Sequence, residues 1–127
     1  MSKCFWLLNH KVTAEQKKEL KDFFDVNSII FPPEEIVNIW ASIPPVNNIP
    51  DETINEIMDW LNNATSSDVA VVQGESTATF KIVNYLIDKG VLVLAAVSER
   101  CSEEKEENGR IVKHSFFKHV CFRKYER

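Results

Sequence analysis

The stretch Asp68-Val69-Ala70-Val71-Val72-Gln73-Gly74-Glu75 decides the fold. Residues 69–72 are apolar without alternation, the pattern of a parallel strand covered on both faces. Gln73-Gly74-Glu75 turns the chain, and Ser76 or Thr77 can cap a helix that includes Phe80, Val83 and Ile87. Lys89-Gly90 suits the end of that helix, because glycine tolerates the left-handed conformation there. Residues 91–97 are a second apolar strand and complete a βαβ unit with a right-handed crossover.

Toward the N-terminus, residues 4–8 read as a short buried strand ended by Asn9-His10. Thr13 and Gln16 have the spacing of a capping box, and Leu20, Phe23 and Phe24 form the apolar stripe of the helix that follows. Residues 27–31 fit a further strand. Pro32-Pro33-Glu34-Glu35 starts a helix with Ile36, Ile39, Trp40 and Ile43 on its apolar face, and Pro44-Pro45 stops it. Pro50-Asp51-Glu52 opens a third helix, with Ile54, Ile57, Met58 and Leu61 at core spacing. Toward the C-terminus, residues 101–109 read as a solvated acidic loop with Asn108-Gly109 as a turn signal. Residues 111–117 and 120–125 read as two strands in an antiparallel extension. Along the tail 116–125, alternation sets His119, Cys121, Arg123 and Tyr125 on one face and Val120 and Phe122 on the other. The expected fold is one doubly wound, mostly parallel, Rossmann-like α/β domain over residues 1–127, with a C-terminal antiparallel strand extension.

Composition narrows the function. Of 127 residues, 44% are hydrophobic and 27% charged, a globular balance, and the formal net charge of −4 argues against a general binder of long nucleic acid. A small anion in one local pocket remains open to such a chain. Cys4, Cys101 and Cys121 form no CxxC pair, and the apolar run near the N-terminus is too short for a signal or membrane segment. The expectation is a cytoplasmic protein with free thiols, no membrane contact and no cofactor. No metal is expected either, because the cysteines and histidines lack ligand spacing. Cys4 and Cys121 read as core residues.

In open α/β sheets ligands gather outside the carboxyl ends of the strands. Residues 9–13, 73–77 and 98–101 should meet there. Gly74 would let the backbone approach a ligand, and the amides of residues 75–79 at a helix start would make a phosphate site. Ser76, Thr77 and Thr79 add hydroxyls, though the same residues suffice as caps. Glu75 could orient a ribose hydroxyl, act as a base, or favour the helix dipole. Gln73 faces the pocket or bonds a neighbouring loop. Arg100 is the best phosphate partner, since a guanidinium keeps its charge and pairs bidentately. His10 could donate to phosphate or move protons. Lys118 or His119 could reach the ligand from the last strand.

Leu7-Leu8-Asn9-His10 with Thr13 and Gln16, Trp40 with Pro44-Pro45, Trp60, Gln73-Gly74-Glu75 with Ala78-Thr79, and Phe117-Lys118-His119-Val120 with Phe122-Arg123 and Tyr125 follow one another along nearly the whole chain. In order and spacing they resemble a small stand-alone CRISPR-associated family of the CARF (CRISPR-associated Rossmann fold) group, whose members are cyclic oligoadenylate sensors and ring nucleases. The resemblance implies a homodimer with a cyclic oligoadenylate, most often the tetra-adenylate, across its axis, and metal-independent cleavage of that messenger. It implies catalytic roles for His10, Glu75 and Arg100, and ligand contacts from Gln73, Gly74, Ser76, Thr77, Thr79, Ser98, Lys118 and His119. The chain departs from the family pattern at Ser76-Thr77, where a more glycine-containing turn is expected, and this loosens the expected phosphate contact. Two other readings stand beside it: a non-catalytic sensor of the same messenger, and a ligand-free α/β interaction domain.

Overall fold

Nine elements follow one another along the chain in a computed structural model that describes residues 2–127. They are β1 (Ser2–Leu7), α1 (Ala14–Phe24), β2 (Val26–Ile30), α2 (Glu34–Ala41), α3 (Asp51–Leu61), β3 (Val69–Val72), α4 (Ser76–Asp88), β4 (Leu92–Glu107) and β5 (Arg110–Lys124). The strands form one five-stranded sheet in the order β2-β1-β3-β4-β5. All neighbours are parallel except β4 and β5. From β1 the chain first steps outward to β2 and later returns to the other side of β1 as β3. The strand order therefore reverses between β1 and β3, which leaves a crevice above their carboxyl ends.

The parallel strands are apolar on both sides because each side is covered. Phe5, Leu7, Ala70, Val72 and Val93 pack with Ile36, Trp40, Ile57, Leu61, Ile82 and Leu86 from α2, α3 and α4. Cys4, Trp6, Val69, Val71 and Leu94 pack on the opposite face with Leu20 of α1 and Phe122 of β5. The α1 capping box forms as its spacing predicts, with the Gln16 N–H donating to Thr13 Oγ1 and the Thr13 N–H donating to Gln16 Oε1. Two aromatic assignments are corrected. Phe23 and Phe80 are 80% and 70% exposed. The buried stripe of α4 runs Ala78, Ile82, Leu86 at four-residue spacing, which turns Phe80 to the other side.

The acidic loop expected at residues 101–109 is a strand. β4 and β5 form a long hairpin whose ten outermost cross-strand pairs, from Ser98–His119 to Glu107–Arg110, run beyond the end of β3. At about 3.3 Å per residue this arm reaches roughly 30 Å. Its acids are exposed, as expected, and the register sets Glu99 opposite Lys118, Glu104 opposite Lys113 and Glu107 opposite Arg110. Opposite charges on facing strands stabilise the pairing. Asn108 and Gly109 both have positive φ, 49° and 76°, as a two-residue hairpin turn of type I′ requires.

The two strands expected at 111–117 and 120–125 are one strand, β5, interrupted by a bulge. Val97 pairs with Cys121 and Ser98 with His119, so Val120 has no partner. The extra residue corrects the predicted alternation: His119 joins Phe122 on the α1 face, with ring centroids 4.8 Å apart, instead of joining Cys121. Cys121 is only half-buried, whereas Cys4 is fully buried and its thiol is pushed up to about 12 by desolvation. All three cysteines are free. Among the described residues, no helix is long and apolar enough to cross a membrane.

Asp68 ties the start of β3 to β1. Its carboxylate accepts from the Lys3 N–H, the Thr65 N–H and the Thr65 hydroxyl at 3.1, 2.9 and 3.1 Å. Burial alone would raise its pKa, but these hydrogen bonds outweigh burial and hold it below the ordinary carboxylate value. A carboxylate depressed in the folded state contributes stability above its unfolded pKa of about 3.9, and that contribution is lost as pH falls through the folded value. Asp68→Asn is expected to lower stability at pH 7 by about 1–3 kcal/mol. It should also flatten the acid decline of the urea midpoint below about pH 4. An acid decline as steep as that of the native chain would show that Asp68 is not its source.

Candidate functional site

A cleft of about 520 Å³ lies at the crevice between β1 and β3. The loop after β1 supplies Leu8, Asn9, His10 and Lys11, the start of α1 supplies Thr13 and Gln16, and the turn after β3 supplies Gln73 and Gly74. Ala96 and Ser98 of β4 and Phe117 and His119 of β5 form the far wall. The three segments expected to converge do so. Of the predicted residues, His10, Gln73, Gly74, Ser98 and His119 are brought together here.

Two buried tryptophans hold the loops from below. Trp6, on the α1 face of β1, donates its indole N–H to the His10 carbonyl at 2.9 Å. Trp40, on the other face of the sheet, donates to the Gln73 carbonyl at 2.8 Å. A buried indole needs an acceptor, and each finds it at a cleft loop. The Trp40 ring also lies so close to Gly74 that a Cβ there would sit 2.6 Å from it. Gly74 is thus a glycine to admit Trp40, a packing reason that stands beside the expected close approach of a ligand. Gln73 is equally committed. Its carboxamide accepts from the Ala96 N–H at 2.9 Å and donates to the Ala96 carbonyl at 3.2 Å, which extends the β3–β4 ladder by a side chain.

The predicted phosphate site at the start of α4 is already filled. Glu75, not Ser76 or Thr77, is the cap: its carboxylate accepts from the Thr77 and Ala78 N–H groups at 3.1 and 2.8 Å and from the Thr77 hydroxyl at 2.6 Å. Hydrogen bonds from the Thr77 hydroxyl and from the Ala78 and Thr77 amides hold it below the usual carboxylate range. A carboxylate so held is a weak base, and a phosphate would have to displace it. Ser76 and Thr77 are exposed at the helix start outside the cleft lining, and Thr79 lies one turn along. Among the described residues, the Thr79 hydroxyl is the single buried side-chain polar atom without a partner.

His119 is a wall residue whose ring is spoken for. Its side chain is 6% exposed, Nε2 meets Glu19 Oε1 at 2.8 Å and Nδ1 meets Gln16 Nε2 at 3.5 Å. The second Glu19 oxygen accepts from the Phe122 N–H at 2.7 Å, so the pair docks α1 onto β5 beside the bulge. Lys118 lies on the opposite face, across from Glu99. Arg100 is exposed on the arm and outside the cleft lining. It shares the sheet face of Ser98 by alternation and pairs across the strands with Phe117. His10 is exposed, and among the described residues its ring makes no hydrogen bond. The exposed Lys11 beside it and Phe117 opposite were not singled out by the sequence reading. Lys11 stood inside a segment already assigned to the site, whereas Phe117 looked like one more aromatic of an amphipathic strand. Among the described residues, no group of three or more His, Cys, Asp or Glu could hold a metal ion.

Gly74→Ala is expected to cost about 1–3 kcal/mol through the Trp40 clash, read from urea unfolding. In a Trp40→Phe background, which removes the contacting indole atoms, the same change should cost much less. Equal costs in both backgrounds would refute the packing account of Gly74.

The description "Uncharacterized protein MJ1673 family" belongs to a family model that matches residues 2–123. A protein of Methanocaldococcus jannaschii described as "Uncharacterized protein MJ1673" is 32% identical over 126 residues, covering 98% of each chain. No solved structure matches the chain. The matched region runs from β1 to within one residue of the end of β5 and takes in every segment that lines the cleft. The chain therefore belongs to the MJ1673 family.

Proposed function

We propose that this protein is a CARF-type ring nuclease: it binds a cyclic oligoadenylate messenger of CRISPR antiviral defence, most readily the tetra-adenylate, as a homodimer, and linearises it without a metal. The observation that carries the reading is the cleft at the strand-order reversal, where an unengaged imidazole, His10, stands with Lys11, Ser98 and the carboxyl-end loops of β1 and β3. The motifs quoted above for the CARF resemblance also contribute residues to it, among them Asn9-His10, Gln73-Gly74, Phe117 and His119. The formal charge of −4 fits a small ligand in one cleft better than a long polynucleotide.

The chemistry needs no group that the chain lacks. A ribose 2′-oxygen attacks the adjacent phosphorus in line, its proton passes to His10, and the 5′-oxygen leaves and is protonated. The products are a 2′,3′-cyclic phosphate and a 5′-hydroxyl end on one linear chain. Lys11 and Arg100 balance charge on the phosphoryl oxygens, and rigid loops hold the in-line geometry. Glu75 is less suited to accept the proton, since three donors already hold its carboxylate. The filled amides at the start of α4 favour one second reading, a sensor that binds the same ring without cutting it.

Incubation with cyclic tri-, tetra- and hexa-adenylate in EDTA, followed by chromatography, tests both. One ring size should give linear products, and His10→Ala should slow that conversion by about 10²–10⁴-fold while binding persists. Binding without conversion selects the sensor. Neither binding nor conversion overturns both readings.

A further inference from the structure

Phe117 is 74% exposed, yet it lines the same cleft as the nearly buried His119 two residues along the strand. The bulge at Val120 keeps it on the α1 face of β5, two cross-strand pairs beyond Ser98–His119. Its neighbours on that face are polar: Arg100 directly opposite and Ser98 diagonally inward. Among the described residues, no aromatic ring and no cation stacks on it, although Phe122, five positions along, meets three rings. A large flat apolar surface thus stands at the mouth of a cleft whose interior is lined by His10, Lys11 and Gln73. A ligand that fills both parts must join an anionic or polar portion to a flat π-face. That combination is the chemistry of a nucleotide.

We infer that Phe117 is the platform on which a purine base of the ligand stacks. The inference rests on the nucleotide reading of the cleft and adds to it the residue that selects the base. Stacking is indifferent to hydrogen-bond pattern but grows with ring area, so Phe117 favours adenine over uracil. Arg100, across the strands, lies beside the stacked nucleotide and draws its phosphate toward the arm, which gives the exposed arm a part in binding. Phe117 is a binding residue, and it takes no part in proton transfer.

The test is calorimetric titration of cyclic tetra-adenylate and cyclic tetra-uridylate into the native chain, Phe117→Ala and Phe117→Trp. Phe117→Ala should weaken the adenylate ring by about tenfold or more and narrow the preference for adenylate over uridylate. Phe117→Trp should retain both affinity and preference. The salt dependence of binding should be the same in all three proteins, because no phosphate contact is removed. Because the side chain is exposed, the alanine variant should melt as the native chain does. Three results overturn the inference. In the first, Phe117→Ala binds both rings as the native chain does, which removes the platform and leaves the nucleotide reading standing. In the second, Phe117→Ala sediments at a lower mass than the native chain without ligand, which makes Phe117 a contact between copies. In the third, the native chain binds neither ring, which removes the nucleotide reading and the platform with it.

Discussion

The Trp40 indole, wedged against Gly74 and bonded to the Gln73 carbonyl, is the contact on which the cleft depends. It fixes where β3 stops. The Gln73 N–H still donates to the Leu7 carbonyl of β1, and on the other side its carboxamide takes both backbone groups of Ala96. The Tyr125 hydroxyl donates to the Val72 carbonyl one residue earlier, so the end of β5 is strapped to the end of β3 as well. Each of these bonds satisfies a backbone group that would otherwise be stranded between buried layers, where an unmet partner costs about 1–3 kcal/mol. The floor of the cleft is rigid because the same bonds that satisfy the core hold it.

That rigidity has an electrostatic counterpart. The positive end of α4 is the obvious place for an anion in this fold, and the chain puts its own anion there in Glu75. Exposed cationic side chains lie instead on the loop after β1, Lys11, and on the hairpin arm, Arg100. A site built this way has a fixed floor and adjustable charged walls. Geometry comes from the tryptophan-held loops, and charge comes from long, exposed side chains.

The arm is the least conventional element. A two-stranded ribbon in water is marginal by itself. Here the strands carry facing charges of opposite sign, a turn that matches their twist, and an anchor where Glu19 of α1 holds both His119 and the Phe122 amide. The bulge at Val120 brings the last of these about. By adding one residue it reverses the facing of everything beyond it, so that His119 points into the body and Phe117 onto the cleft side.

The order of strands and helices was legible in the sequence because its signals are local. Unbroken apolar runs mark covered strands, Thr13 and Gln16 mark a helix start, and Asn108-Gly109 marks a turn. The convergence of residues 9–13, 73–77 and 98–101 followed from the general geometry of parallel sheets. What sequence could not supply was any feature set by a partner distant in the chain. Residues 103–107 read as a loop until the strand opposite is known, although the two-residue turn at Asn108-Gly109 already demanded paired strands. That Gly74 must also admit Trp40, 34 positions earlier, shows only in the packing. His119 and Phe122 look opposed until the bulge is counted. Local pattern determined which segments are strands and helices, and tertiary packing alone decided which of their polar residues were already taken and which remain free for a ligand.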